Sequence, residues 1–444
     1  MESNMRQYFF ELADQLNTML RGGEVFLAGY SGEQSDFIRF NRSLVRQAGG
    51  VAQRYLSLDL IGGNRHAKAS TSLSGDKPQD IARCRQLLTD LRALLPHVQD
   101  DPYLLYSTQV RNTDQAAADK LPQPDQALAA ILDAGKGRDL VGIYAAGGIH
   151  AGFANSFGQR NWFASHSFNL EWSFYHAADK AVKTSYAGFE WNDAEFARKV
   201  RTASQQLDIL SRPARTIAPG RYRTYLAPEA LDEIVGMLCW GGFGLKAHRT
   251  KSTPLLKMIT EGKTLSPAVT LRENTADGIA PNFQSAGYIK PAAVTMIEAG
   301  KYKDCLVSPR SAREYGVPTN GASTGEFPES IDLVAGDIPA DAVLARLDTG
   351  VYVNALWYLN YSDRPAGRIT GMTRFATFWV EGGRIVAPLN VMRFDETVYR
   401  VLGENLLGLT AERSFTPSSS TYGGRSTGSS RLSGALIEDF TLTL

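Results

Sequence analysis

The sequence predicts an α+β protein. We expect an N-terminal α/β-type domain with an antiparallel meander and flanking helices, followed by a C-terminal domain of mostly antiparallel β structure. An apolar stripe at helical spacing opens the chain, and several short β-type runs follow it. The strongest β pattern lies at 350–394, where aromatic and polar residues alternate. At 444 residues the chain exceeds one ordinary core, so we expect two domains, 1–212 and 213–444.

Composition and charge are those of a soluble globular protein, with 43% hydrophobic and 21% charged residues. The formal net charge of +1 and the lack of Lys/Arg runs argue against a nucleic-acid partner. Three widely spaced cysteines exclude a disulfide framework and suit a reducing compartment. The sequence has no signal-peptide pattern and no apolar run long enough for a membrane span, so we expect a cytoplasmic protein without a membrane partner.

The first half is predicted to begin with a helix and a meander. The helix buries one apolar stripe, formed by Phe9, Leu12, Ala13, Leu16 and Leu20. The β-type runs that follow are 24–30, 35–40, 43–48, 51–61 and 68–74. Gly49-Gly50 and Gly62-Gly63 bracket the fourth run, as turns of a meander would. Asp80 is expected to cap the next helix, in which Cys84 belongs to the buried face.

Three further elements complete this half. They are a short helix at 126–134, long half-buried strands within 140–188 and a helix at 193–210. Pro213 and Pro219 mark the passage into the second domain.

The second half should contain a strand at 269–273, a short helix at 310–315 ended by Gly316, and two hairpins within 350–394. The second hairpin is predicted to turn at 381–383. A helical pattern resumes at 394–406, and 435–444 alternates like a closing strand. The Ser/Gly-rich segment 417–434 has the composition of a loop, either mobile or covering a cleft.

The helix after Tyr225 is the candidate site. Pro228 suits the first helical position, and acidic residues after it complement the helix dipole. A buried face recurs at helical spacing and comprises Leu231, Ile234, Val235 and Leu238.

This helix contains a degenerate version of a zinc-peptidase motif at 232–237. Such a helix would have His and Glu in the first two places and a second His in the last, because zinc needs imidazole or thiolate ligands and a carboxylate that takes a proton from bound water. Here the three places hold Asp232, Glu233 and Met237. Methionine is a poor zinc ligand, so we expect neither a metal nor another cofactor in this chain. Glu233 alone is typical of a helix N-terminus.

Outside this helix, the sequence offers few candidate functional residues. No two of the six histidines have ligand spacing. His248 and Arg249 follow the glycine turn after the helix and are candidate peptide-binding residues. Arg249, with Lys246 and Lys251, is a candidate for binding a peptide carboxylate or else belongs to a solvated loop. Cys239 and Cys305 lie in apolar surroundings that disfavour a nucleophilic thiolate.

Five segments of the chain resemble, in their order and spacing, segments of one known family. They are 35–49, 142–191, 224–238, 308–323 and 348–394, and no single one of them would establish the resemblance. Together they resemble the TldD/PmbA family of peptidase-related proteins over nearly the whole chain. In metal-bearing members of that family the helix has HExxxH, and a later Cys completes a zinc site that hydrolyses unfolded peptides. No Cys follows Cys305 here, and the last ligand has no clear counterpart among Ser420, Thr421 and Tyr422.

The chain is therefore more similar to the metal-free, PmbA-like (TldE-like) subunit. The resemblance implies a heterodimer with an HExxxH-bearing, TldD-like subunit, in which the partner holds the zinc and the substrate is an extended, unfolded or modified peptide. We expect the chain to be no enzyme by itself but part of a metallopeptidase. The hairpins at 349–394 are the candidate edge for that peptide, with Tyr352 and Asn354 as candidate contacts.

Two alternatives stay open. One is a stand-alone metallopeptidase whose metal is held by distant residues that converge in space. The other is a non-enzymatic binding or regulatory protein, such as the gyrase modulator that the family's older naming suggests. The sequence identifies neither the peptide nor the partner chain, and it leaves homodimerisation open.

Overall fold

Two β-sheets organise the chain in the computed structural model, which describes residues 2–177 and 180–444. Within those residues, a seven-stranded sheet forms from the first part of the chain and an eleven-stranded sheet from the part beyond residue 219. Helices cover faces of both sheets, so the predicted α+β class is confirmed.

The first sheet is built from long antiparallel strands. Its strand order is β3-β2-β1-β5-β6-β4, with β7 also paired to β6, and only the short β4 runs parallel to its neighbour. The predicted meander is thus present as β1-β2-β3. The elements are α1 (Glu2–Thr18), β1 (Val25–Asn41), β2 (Leu44–Gly62), β3 (Arg65–Ser72), α2 (Lys77–Leu94), β4 (Thr113–Ala116), α3 (Pro124–Gly135), β5 (Asp139–Asn155), β6 (Arg160–Ala177), β7 (Lys180–Gly188) and α4 (Asp193–Leu210).

The second sheet contains the predicted hairpins and places β18 at its centre, beside β8, β12, β16 and β17. The elements are β8 (Gly220–Leu226), α5 (Pro228–Cys239), α6 (Leu245–Arg249), α7 (Leu256–Glu261), β9 (Leu271–Glu273), β10 (Val294–Glu298), β11 (Lys301–Tyr302), α8 (Pro309–Tyr315), β12 (Ser330–Leu333), α9 (Val343–Leu347), β13 (Gly350–Asp363), β14 (Arg368–Glu381), β15 (Arg384–Pro388), β16 (Arg393–Thr397), β17 (Leu406–Pro417) and β18 (Ser429–Leu442).

The hydrophobic core consists of several clusters, one of which contains residues of both sheets. One cluster packs α1 and α2 on the first sheet, and a large cluster surrounds α5 in the second. A third cluster joins the halves, because it contains Phe378 of β14 together with Phe168 and Trp172 of β6. The domain boundary at 212 stays a prediction, and residues 211–219 connect α4 to β8.

The strand boundaries in the meander differ from the prediction. The first four β-type runs fuse into two strands, and Gly49-Gly50 lies inside β2, opposite Phe37 and Asp36 of β1. These glycines are exposed, so no core contact is lost where they lack a side chain. Only Gly63, with φ at 61°, acts as a turn glycine.

Asp80 does not cap α2, contrary to the prediction. Asp76 is the N-cap, and its side chain accepts a hydrogen bond from the Gln79 amide. Asp80 is fully buried and accepts hydrogen bonds from the amides of Ser74 and Gly75, so it fastens the loop before the helix.

Two predictions in the second half had different outcomes. The second hairpin turns at Gly382 and Gly383, both with positive φ, as predicted. The helical pattern at 394–406 is confirmed only in part, because β16 occupies its start, whereas residues 398–404 are helical and include a π turn at Arg400–Glu404. Within the described residues, no helix combines the length and apolarity needed to cross a bilayer.

Candidate functional site

Helix α5 is held rigidly inside the second domain. It begins at Pro228, directly after β8, and packs on β13 and β18. The predicted apolar stripe is buried, as the near-zero exposure of Leu231, Val235 and Leu238 shows. The packed apolar face therefore fixes the position of the helix and of the polar side chains on its other face.

The two carboxylates of the degenerate motif have different surroundings. Asp232 is half-buried, and loss of solvation raises its pKa to about 6, although hydrogen bonding to Ser430 opposes that change. Glu233 is exposed, yet the surrounding protein still removes enough water to raise its pKa. The charge of Lys183 opposes that rise, and the charge of Glu171 adds to it.

The residues in the ligand places do not fit a zinc ion. Positions five apart on a regular α-helix point about 140° away from one another. Met237 accordingly packs in the hydrophobic core, whereas Asp232 faces Ser430. A thioether and a carboxylate are also a poor donor set for zinc. Among the described residues, no three His, Cys, Asp or Glu side chains converge in a way that could hold a metal ion.

A cavity of about 640 Å³ lies beside the first turn of α5, between the two sheets. Pro228 and Glu229 of α5 reach its wall, and the rest of the lining comes mainly from α4, β7, β8, β13, β15, β17 and α9. Its volume is that of a typical ligand-binding pocket. The predicted residues Tyr352 and Asn354 both line it.

Two strand edges border this cavity. Among the described strands, β7 pairs only with β6, and its residues 184–187 line the cavity on one side. On the other side, residues 412–416 of β17 line it. β17 pairs with β18, and a bridge between Ile338 and Thr410 covers only its earlier part. An uncovered strand edge offers main-chain N–H and C=O groups to an extended ligand.

The cavity wall combines charges with neutral hydroxyls. Arg198 and Glu195 form an ion pair on α4, and Arg413 of β17 is paired with the buried Asp332. The rings of Tyr225 and Tyr352 lie 5.2 Å apart, and burial raises the pKa of both phenols. Both tyrosines are therefore neutral at physiological pH.

The four predicted peptide contacts fall into two separate places. Asn354 donates a hydrogen bond from Nδ2 to the carbonyl of Lys183, at 2.9 Å, and so ties β13 to β7. His248 does not line this cavity: it is buried, its Nε2 lies 2.7 Å from the Gly242 carbonyl oxygen, and burial lowers its pKa. Arg249 is exposed and lies over the ring of Tyr315.

The Ser/Gly-rich loop between β17 and β18 packs against the first sheet. Arg425 donates from Nη2 to the carbonyl of Ser167, at 2.8 Å, and from Nη1 to the carbonyl of Gly147 and the hydroxyl of Ser35. Its amide donates to Glu33. Burial lowers the pKa of the guanidinium, and Glu33 opposes that change. The loop therefore covers part of the first sheet.

This arrangement identifies residues that sequence reasoning missed. Ser430 is the β18 residue beside Asp232, whereas Tyr422 points into solvent. The edges of β7 and β17 and the polar face of α4 were also missed as cavity walls. The amphipathic spacing of α4 and its Arg198-Lys199 pair were the available signal, but nothing in the sequence indicates which element they face.

Comparison with known proteins identifies the fold and the family. Residues 219–443 match the family model of the PmbA/TldA metallopeptidase C-terminal domain. A putative modulator of a DNA gyrase from Thermotoga maritima is similar in structure, with a TM-score of 0.75, 15% identity, and coverage of 98% of this chain and 100% of that one. Comparison with curated protein sequences found no match.

Two further solved structures share the fold. TldE from Thermococcus kodakarensis has a TM-score of 0.74 and 14% identity, with 99% of each chain covered. A putative modulator of DNA gyrase from Bacteroides thetaiotaomicron has a TM-score of 0.74 and 14% identity, with 98% of each chain covered. The likeness extends over both sheets.

Proposed function

The chain belongs to the PmbA/TldD family, and on this premise we propose that it is a subunit without a metal of its own. It works in a heterodimer with an HExxxH-bearing sister subunit, which holds the zinc and the carboxylate that activates water. The pair hydrolyses unfolded or modified peptides. The three cysteines are free thiols, which is consistent with the reducing cytoplasm as its location.

One observation supports this proposal above others. The helix in the position of the family's catalytic helix is retained and tightly packed, yet its ligand places hold Asp232 and Met237, and Met237 points into the core. Such a chain retains the scaffold of a peptidase without the groups that activate water.

The cavity suggests what this subunit contributes. Strand addition holds an extended peptide through main-chain hydrogen bonds and tolerates many side chains. The edges of β7 (184–187) and β17 (412–416) border the cavity, so a peptide lying there could pair with one or both. Tyr352 and Glu229 are positioned to contact its side chains. This assignment moves the proposed peptide edge from the 349–394 hairpins to β7 and β17.

The test is co-expression of the chain with an HExxxH-bearing family member from the same organism. We expect the two to co-purify, and we expect unfolded peptides to be cleaved by the mixture in a chelator-sensitive reaction. This chain alone should not cleave them. A stoichiometric metal in the lone chain, with turnover lost on chelation, would support the stand-alone peptidase instead. Stable binding of a partner without any cleavage by the mixture would support the regulatory alternative.

A further inference from the structure

A second cavity, of about 420 Å³, lies on one face of the first sheet. Strands β1, β2 and β5 supply most of its lining. Trp162 lies toward one end of that face, in the cluster that includes α1, and Tyr144 lies toward the other end, in the cluster that includes α3 and α4. The cavity therefore occupies a stretch of the sheet between two packed cores. It shares no lining residue with the cavity beside α5.

The strand register brings two histidines to this stretch. Gly148 of β5 lies opposite Gln34 of β1 and opposite His166 of β6, and His150 is two residues further along β5. Side chains two residues apart on a strand, and those directly opposite on neighbouring strands, share a face of the sheet. The rings of His150 and His166 accordingly lie 6.0 Å apart, at 86° to each other, and both line the cavity.

His150 is a buried polar side chain with unused hydrogen-bonding groups. It is 3% exposed, and neither of its ring nitrogens has a hydrogen-bond partner in the described part of the chain. Burial, together with the charges of His166 and Arg54, lowers its pKa to about 4, so the imidazole is neutral at physiological pH. A neutral imidazole has one acceptor nitrogen and one N–H donor. Because unsatisfied buried polar groups are costly, a ligand that pairs with them is favoured.

Gly148 keeps the space in front of these rings open. A Cβ atom at Gly148 would lie 2.9 Å from Cε1 of His150 and 3.2 Å from Cε1 of His166, too close for the rings to stay where they are. Since Cε1 joins the two ring nitrogens, the polar end of the His150 ring is directed at this space. The site is therefore shaped by the absence of a side chain at one position as well as by the histidines.

The charged side chains of the lining are acidic. Oδ2 of Asp119 lies 3.5 Å from Nδ1 of His166, and Asp36 of β1 is exposed at the cavity. The described residues of the lining include no Lys or Arg. Carboxylates and a neutral imidazole all accept hydrogen bonds, so they favour a cation that donates them. The volume lies in the range of small-molecule pockets.

We propose that this cavity binds a small organic molecule through a primary ammonium group. The ammonium donates a hydrogen bond to the acceptor nitrogen of His150, and the carboxylates of Asp36 and Asp119 attract its charge. A free alkylamine and the N-terminus of a short peptide share this chemistry. The inference does not depend on the proposed function, because the two cavities are lined by different residues.

The experiment titrates n-butylamine into the purified chain and measures its Kd by nuclear magnetic resonance. n-Butanol, which lacks the charge, and butyrate, which reverses it, should each bind at least about tenfold more weakly. His150→Phe keeps a ring and removes both nitrogens, so it should weaken butylamine binding at least about tenfold.

A second variant keeps the inference testable if His150→Phe does not fold. Asp119→Asn changes a carboxylate whose side chain is 60% exposed, so the protein should fold, and it should weaken butylamine binding about two- to fivefold. The matched control is Asp208→Asn, at an exposed position of α4, which should bind butylamine like wild type. Thermal unfolding confirms that each variant is folded.

Several results would overturn the inference. They are equal binding of butylamine and butanol, wild-type affinity for butylamine in folded His150→Phe or Asp119→Asn, and stoichiometric binding of zinc chloride that His150→Phe abolishes, since the imidazole would then be a metal ligand. Glycinamide and N-acetylglycinamide distinguish the two sources of the amine. Binding of butylamine but not glycinamide assigns the site to a free alkylamine. Binding of glycinamide but not its acetylated form assigns it to a peptide N-terminus, and either result supports the inference.

Discussion

At the scale of single residues, Asp232 stands where the zinc-peptidase motif would have a histidine, and a carboxyl group takes the place of an imidazole ligand. Its pKa of about 6 lies above the ordinary value of 3.8, because loss of solvation disfavours the charged form. Between these two pH values the folded protein retains a proton that the unfolded chain releases. The contribution of Asp232 to the free energy of unfolding therefore falls as the pH rises from about 4 to 6 and does not recover above that range.

Asp232→Asn should remove this penalty. We expect the variant to gain stability relative to wild type as the pH rises from 4 to 7, by at most about 3 kcal/mol. Urea unfolding at the two pH values measures the difference, with Asp208→Asn on the exposed side of α4 as the control. A gain of equal size at both pH values would show that Asp232 titrates normally.

A second prediction at the scale of single residues concerns the stability that Arg425 provides. It makes charge-assisted hydrogen bonds to carbonyl and hydroxyl groups of the first sheet, so Arg425→Ala leaves acceptors on the buried Ser167 and the half-buried Gly147 without this donor. The free energy of unfolding should fall by about 2–4 kcal/mol. Arg85→Ala, on the exposed face of α2, should change it little. The same variant should open the β17–β18 loop to limited proteolysis, and unchanged protection would contradict the assigned contacts.

At the scale of secondary-structure elements, the strand edges at the cavity make a prediction about the ligand. A peptide held by main-chain pairing should tolerate a scrambled sequence but not the loss of its amide hydrogens. Methylation of alternate backbone amides should weaken binding at least about tenfold, since several hydrogen bonds are lost together. Fluorescence anisotropy with the scrambled and methylated peptides measures both effects. Strong sequence dependence without an effect of methylation would exclude strand addition.

Strand pairing also explains why the predicted strand boundaries in the meander differ from the observed ones. Gly49-Gly50 has the composition of a turn, yet β1 and β2 continue past it because neighbouring residues on both strands pair across it. Strand pairing is a contact between distant segments, so local composition underestimates strand length. Asp76 and Asp80 illustrate the converse case, since either is a suitable N-cap by type and only the loop geometry assigns the role to Asp76.

At the scale of the whole molecule, the core that joins the two sheets decides whether they unfold together. Phe378 of β14 is fully buried in a cluster that also contains residues of β6, so Phe378→Ala should destabilise the protein by about 3–5 kcal/mol. The loss should also separate the unfolding of the two halves, which calorimetry would detect as a second transition. Leu44→Ala, at an exposed site, is the control. A single cooperative transition in the Phe378 variant would show that other contacts couple the sheets.

The sequence by itself determined the α+β class, the order of most helices and strands, the family resemblance and the degenerate helix at 232–237. Each of these depends on local periodicity or on residue identity. Tertiary structure alone decided that Met237 points into the core, that the His248 ring is hydrogen-bonded to the Gly242 carbonyl, and that β7 and β17 border one cavity with α5. The cavity depends on elements that lie far apart in the sequence, β7 and β17, and no single segment encodes the space between them. The surroundings of Met237 and His248 likewise depend on how the folded chain packs around them.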